Sequence, residues 1–267
     1  MRDHKKWVSE IFDKAAPEYG KKSSAFFSYF GKRLVEQVQI PSNAQILDVA
    51  TGRGAVLFPL AEALGSSGKV VGIDISTQML KETSQEVLEQ NINSIELLHM
   101  DAEQLNFSND SFDFVFCGFA LFFFPSITTA LAEFKRVLKP GGTLVVSTWG
   151  DDSELDSWVN EEIRKLSNTK SLAVSPLWTE AGLYQILADA SFKKIQVIEE
   201  TKTFLHATPE DWWNSLWNHG TRAKFEQLSS IQIKNLHMKA IKKAMSLHKG
   251  QGIIEPLQVF YGIAHKF

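Results

Sequence analysis

Short apolar runs alternate with stretches of helical apolar spacing from residue 45 to residue 147. The runs at 45–49 (QILDV), 69–73 (KVVGI), 94–99, 112–117 and 143–147 have the length and composition of strands. The stretches at 54–64, 76–90 and 126–138 have the spacing of helices. Short apolar strands alternating with helices predict a parallel sheet covered on both faces. The punctuation agrees, because Lys139-Pro140-Gly141-Gly142 closes one helix and turns into the fifth strand. Pro59 stands inside the first of these helices, where it removes a donor and crowds the preceding turn. That helix therefore starts later than Gly54 or bends.

The pattern continues toward the C-terminus with strands expected at 192–198 and 259–264 and a mostly helical segment at about 199–255 between them. Thr208-Pro209-Glu210-Asp211 is a strong helix start, with a capping residue, a proline in the first turn and acids at the positive end. Residues 1–40 also read as helical, with a cap expected at Ser23 or Ser24.

Composition narrows the class. The 267 residues, 44% hydrophobic and 22% charged, suffice for one large domain with a substantial core. A net charge of −3 argues against general affinity for nucleic acid. The single cysteine, Cys117, excludes an intrachain disulfide and fits a reducing compartment. The first ten residues lack an apolar core of signal-peptide length. The longest apolar run, 112–125, contains Asp113 and is too short to span a bilayer. A soluble, cytoplasmic protein without a transmembrane segment is expected. The seven histidines show no zinc spacing, and no metal is expected.

Candidate chemistry sits at the ends of the first three strands. Asp48-Val49-Ala50-Thr51-Gly52-Arg53-Gly54 follows strand one and opens a helix. Glycines there let the backbone approach a ligand, and a helix N-terminus offers N–H groups to a carboxylate. Asp48 offers a carboxylate to an ammonium. Asp74 ends strand two in Gly72-Ile73-Asp74, where it can accept from two ribose hydroxyls. Asp101-Ala102-Glu103 follows strand three, where an acid can accept from an adenine amino group and the Ala102 N–H can donate to a ring nitrogen. Open α/β sheets bind ligands at these strand ends. A nicotinamide dinucleotide fits less well, since the third small residue its pyrophosphate turn needs is replaced by Leu57.

The segments ILDVATGRG, VVGIDISTQMLK, LLHMDAEQLNF, FDFVFCGFALFFFP and RVLKPGGTLVVSTW resemble the successive motifs of class I S-adenosylmethionine-dependent methyltransferases. They are most similar to the ubiquinone/menaquinone- and biotin-biosynthesis group, whose opening element IFDKAAPEYG also resembles. The resemblance covers residues 11–150. It implies an α/β fold with a Rossmann-like seven-stranded, mostly parallel sheet, an antiparallel last strand, helices on both faces and a helical lid. The chain would divide into an N-terminal helical lid element (1–40), a cofactor-binding core (41–200), a helical lid or substrate insertion (201–256) and a final core strand (257–267). The resemblance assigns Asp48, Ala50, Gly52 and Gly54 to the methionine part of S-adenosyl-L-methionine and Asp74 to the ribose. Ile75 and Met79 would pack near the adenosine, Asp101, Ala102 and Glu103 by the adenine, Tyr19 over the methionine tail and Phe119 on the methyl-bearing side. The product would be S-adenosyl-L-homocysteine.

Many members carry histidine after strand four, where this chain has Phe122-Phe123-Phe124. That removes a base and makes Phe123 a candidate wall for a hydrophobic or aromatic acceptor. Trp213 and Trp217, four residues apart on one helix face, either line the acceptor pocket or pack a lid onto the core. His219 is a candidate catalytic base or a helix-end residue, and Arg222 a candidate for orienting an anionic group. The reading that follows is methyl transfer to a small-molecule acceptor. The alternatives are a cofactor-binding protein without catalysis, or a methyltransferase acting on a carrier-bound or nucleic-acid substrate. The basic segment 221–250 would face solvent, a membrane surface or an acidic carrier.

Overall fold

A computed structural model describes residues 4–20, 26–65, 67–167, 176–217, 220–247, 250 and 252–267. Ser23 and Ser24 lie outside the described residues. Strands β1 (Gln45–Val49), β2 (Lys69–Asp74), β3 (Ile95–His99), β4 (Phe112–Gly118) and β5 (Leu138–Trp149) are mutually parallel. With β6 (Lys193–His206) and β7 (Ile253–His265) they form one sheet of order β3-β2-β1-β4-β5-β7-β6. The last strand, β7, is antiparallel to both its neighbours. This is the seven-stranded, Rossmann-like sheet expected, with its reversed final strand.

Strand alternation sorts the core onto two faces. Leu47, Val71, Val115, Cys117, Leu144 and Val146 point to one side, against Leu131 and Phe134 of α5 (Ile127–Val137) and Leu183 and Leu187 of α7 (Glu180–Asp189). Ile46, Val70, Phe116, Val145 and Tyr261 point to the other, against Phe30 and Leu34 of α2 (Phe26–Val35) and Leu57 and Leu60 of α3 (Leu57–Leu64). Each fully buried side chain contributes roughly 1.5–3 kcal/mol. Because α3 begins at Leu57, Pro59 falls in its first turn, where its missing N–H costs nothing. Ser76 caps α4 (Thr77–Glu89) by accepting from the Met79 N–H, and Ser126 caps α5 in the same way from the Thr129 N–H.

The structure departs from the expected pattern at the C-terminal half. Residues 199–206 and 253–255 belong to strands rather than to a helical segment. β6 and β7 pair from Lys193↔His265 to His206↔Ile253. β6 is one of the sheet's two edges, with most of its polar residues in contact with water, so its Glu-Glu-Thr-Lys-Thr stretch resembles a solvated helix face. Beyond the ribbon, α6 (Glu154–Ser167), α8 (Pro209–Trp217), α9 (Arg222–Phe225) and α10 (Ser230–Leu247) form a helical layer with its own core. Val159, Ile163, Trp212, Trp213, Phe225 and Leu236 meet there. α6 shares this core although it precedes residue 201. Among the described residues no helix is long and apolar enough to cross a membrane.

Candidate functional site

The turn after β1 is held in a rare conformation. Ala50 (φ +55°), Gly52 (φ +52°) and Gly54 (φ +79°) all have left-handed backbone. At Gly54 the left-handed backbone strains any side chain, and a Cβ there would lie 2.5 Å from the Phe58 ring, which would have to move. A Cβ on Gly52 would meet only the Ala50 carbonyl at 4.0 Å, so that backbone faces open space. The turn is fixed from several sides. The Thr51 N–H donates to the Ile73 carbonyl (2.9 Å), the Thr83 hydroxyl to the Gly52 carbonyl (2.7 Å) and the Thr51 hydroxyl to Asp48 Oδ2 (2.6 Å).

Asp74 links the ends of β1 and β2. Its Oδ2 accepts the Gly52 N–H and its Oδ1 the Ser76 N–H, both at 2.8 Å. Burial pushes its carboxyl up to about 6, against these backbone bonds, which favour the ion. Asp48 is 1% exposed, and burial pushes it up to about 7, with Thr51 opposing and the Asp74 charge adding. Two buried acids thus lie within electrostatic reach of each other, and neither forms an ion pair with a lysine or arginine of the described residues.

Helix α1 (His4–Ala15) lies across these strand ends. Its Ser9 hydroxyl donates to the Ile75 carbonyl (3.1 Å). Its Asp13 accepts from the Ser76 hydroxyl (2.6 Å) and the Gln78 N–H (3.1 Å) at the start of α4. Arg53 donates to the Ala16 carbonyl just beyond its end (2.7 Å). Lys5 pairs with Asp101 Oδ2 (2.6 Å) and with Glu103. Burial opposes the Lys5 charge, but these two acids outweigh it and hold the ammonium above its ordinary range.

Between α1 and the strand ends lies a cleft, open to solvent, whose empty space together with the solvent at its mouth is about 750 Å³. Ten of the twelve expected cofactor-side residues line it: Tyr19, Ala50, Gly52, Asp74, Ile75, Met79, Asp101, Ala102, Glu103 and Phe119. Asp48 sits beneath the floor, and Gly54 turns away against Phe58. Part of the lining is apolar, formed by Val8 and Phe12 of α1 with Phe119, Ala120, Phe123 and Phe124 after β4. Phe12 meets Phe123 edge to face (5.1 Å between centroids), and Phe119, itself at φ +53°, stacks on Trp149 (4.2 Å).

Trp213, Trp217 and Arg222 do not line this cleft. Trp213 and Trp217 pack on Phe225 inside the helical layer (5.0 and 4.7 Å), and Arg222 pairs with Glu226 (3.0 Å). The structure therefore gives the aromatic pair the lid-packing place, since their apolar faces are satisfied by the layer's own core. His219 lies outside the described residues. The layer meets one cleft-lining residue, since a Cβ on Gly220 would lie 3.0 Å from the Phe123 ring, and it touches α1 where Lys14 pairs with Glu226 (2.9 Å). The α1 contribution of Lys5, Val8 and Phe12 was not anticipated, although their spacing of three and four residues puts them on one helix face.

The cleft offers a carboxylate floor, a left-handed turn with open backbone and an apolar wall. Such a site fits a ligand carrying an ammonium, hydroxyls and an aromatic ring. Each buried carboxylate retains lone pairs beyond the bonds it accepts, and the Gly52 backbone leaves room for a close approach.

A family model described as the ubiE/COQ5 methyltransferase family matches residues 1–151. The chain is 37% identical over 145 residues to the aklanonic acid methyltransferase DauC of Streptomyces sp. (strain C5), covering 54% of this chain and 66% of that one. It is 38% identical over 142 residues to a demethylmenaquinone methyltransferase of Bacillus velezensis, covering 52% and 61%. The matches thus span less than two thirds of these relatives' own length. A solved structure of a methyltransferase candidate from Bacillus halodurans C-125 superposes with a TM-score of 0.60 at 26% identity, covering 88% of this chain and 98% of that one.

Proposed function

The chain belongs to the ubiE/COQ5 methyltransferase family, and from that premise we propose that it binds S-adenosylmethionine in the cleft and methylates a small apolar or aromatic acceptor. When bound, that cofactor supplies an electrophilic methyl group on a sulfonium sulfur. The observation that carries the reading is convergence. Residues from three separate strand ends, expected at one ligand from their motifs, line a single cleft whose apolar lining is largely phenylalanine.

In this reading Asp74 accepts from ribose hydroxyls with the lone pairs its two backbone bonds leave free. Asp48 supplies negative charge from below, favouring an ammonium above the turn. Ile75 and Met79 pack on the apolar part of the nucleoside, and Asp101, Ala102 and Glu103 border its base. Asp101 and Glu103 are engaged by Lys5 in the described arrangement, so Lys5 yields or shares those oxygens when the base is seated. Tyr19, stacked on Phe27 (4.9 Å), closes the cleft over the turn.

Phe12, Phe119, Phe123 and Phe124 orient the acceptor and exclude water, supplying proximity rather than proton transfer. The named acceptors of the two relatives, aklanonic acid and demethylmenaquinone, differ from each other. That difference supports a shared cofactor half and an acceptor chosen by the apolar wall.

The test is a transfer assay with methyl-labelled S-adenosylmethionine and a panel of apolar aromatic acceptors beside polar ones. Label should move to an apolar acceptor, with one S-adenosylhomocysteine formed per methyl transferred. A folded protein that binds the cofactor but labels only polar acceptors, or none, contradicts the proposal.

A further inference from the structure

Among the described residues, helix α10 has one face with no partner element. Its buried residues Leu236, Ala240 and Ala244 pack into the helical layer. On the opposite face Ile231 (74% exposed), Met238 (57%) and Met245 (62%) follow one another at seven-residue intervals. That spacing keeps them in one line, which spans about 21 Å at the helical rise per residue. Three large apolar side chains in a row are more than the isolated exposed residue a protein surface ordinarily carries.

Along the sequence this segment carries one sign of charge, while in space His237, next to Met238, pairs with Glu210 (2.8 Å). Residues 227–254 contain five lysines and no aspartate or glutamate, in a chain whose net charge is −3. Lys239 and Lys243 are turned toward α6, paired with Glu162 (3.0 Å) and Glu154 (2.7 Å). Lys234 and Lys242 are exposed on the outer face, and among the described residues neither has a carboxylate partner. Lys242 stands between Met238 and Met245 at helical spacing. An apolar line interleaved with unpaired cations on an outward helix ridge is complementary to a flat anionic surface with an apolar interior. A helix-shaped protein partner would call for a groove instead.

We propose that the outer face of α10 seats the protein on an anionic lipid surface, with Ile231, Met238 and Met245 entering the headgroup–acyl boundary and Lys234 and Lys242 binding the anionic headgroups. The same helical layer meets the cleft wall through Gly220 against Phe123 and touches α1 through Glu226 against Lys14. A lipophilic acceptor partitioned into that surface is thereby brought near the apolar wall.

The experiment is co-sedimentation of the full chain with vesicles of phosphatidylcholine alone or mixed with phosphatidylglycerol. It needs no cofactor or acceptor, so its outcome is independent of methyl transfer. Binding is expected to the mixed vesicles and to weaken with salt. It should fall about tenfold or more in either the Met238→Glu/Met245→Glu or the Lys234→Glu/Lys242→Glu double variant. Leu88→Glu, on an equally exposed residue of α4 (73%), should leave it unchanged. All these positions are exposed, so the variants should fold, and circular dichroism checks this. Several results would overturn the assignment: no vesicle binding, equal binding to neutral vesicles, binding undiminished by both double variants, or an equal loss in Leu88→Glu. A concentration-dependent dimer abolished by the methionine variant, without vesicle binding, would show instead that the stripe meets a second copy.

Discussion

The wall at the ends of β1, β2 and β3 is made of backbone and buried carboxylate, whereas the wall after β4 and along α1 is made of aromatic rings. The first depends on conformations that few residues adopt. Ala50 holds a positive φ without being glycine, at a cost of about 1–3 kcal/mol, and Asp48 and Asp74 are buried against their own preference for water. The second wall is ordinary packing, in which one ring can replace another without moving the chain, although Phe119 anchors it with a strained backbone of its own. A strained and charged wall tolerates little change and suits an invariant ligand. A packed wall is free to vary and suits a ligand that differs between relatives.

Substitution separates the two. Asp74→Asn should have the largest effect, because it replaces an acceptor-only group that bridges two N–H donors. A loss of S-adenosylhomocysteine affinity of about a hundredfold is expected, and a loss under threefold by calorimetry would show that the first wall does not hold the ligand.

Asp48→Asn should act on stability and binding in opposite directions. Burial raises this carboxyl to about 7 in the folded chain. The folded state therefore holds the proton more tightly than the unfolded one. The associated stability is present below about pH 4 and is lost as the pH rises through 7. The penalty at pH 8 is at most about 4 kcal/mol. Denaturant unfolding of the ligand-free variant at pH 8 should show a gain, with a flatter pH profile between 4 and 8, while ligand affinity falls. A variant less stable at pH 8 would mean that Asp48 is not a buried acid held against its preference.

Phe123→Ala should sharpen the contrast from the other side. It should raise the acceptor KM by about tenfold through lost ring contact, leaving S-adenosylhomocysteine binding nearly unchanged. Equal losses in both would merge the two walls into one site. The smallest effect is expected at Arg222→Ala. Its ion pair with Glu226 is surface-exposed and worth under about 1 kcal/mol, so turnover with an anionic acceptor should scarcely change. A large rise in KM for such an acceptor alone would restore Arg222 to the acceptor site.

The sheet was legible because strand runs such as QILDV and KVVGI are buried on both sides and carry no competing signal. The strand-end residues were legible because a glycine turn and two acids recur in order at successive strand ends, although each alone could be a plain turn, a helix cap or a surface residue. The β6–β7 ribbon was not, because an edge strand shows its polar residues to water much as a helix does, and only pairing with β7 decides its state. The α1 wall was missed for a related reason. Lys5, Val8 and Phe12 read as one face of an amphipathic helix, but nothing local says which surface that face covers. Trp213 and Trp217 show the converse, since aromatic residues suggest a pocket by type while their partners lie across the helical layer.

The most direct measurement is calorimetric titration of the full chain with S-adenosylhomocysteine, repeated with Asp74→Asn after circular dichroism has shown both to be folded. Saturable one-to-one binding by the natural chain, weakened about a hundredfold in the variant, is the predicted result. A folded natural chain that takes up no heat of binding, or a variant that binds as well as its parent, would contradict the placement of the cofactor in this cleft.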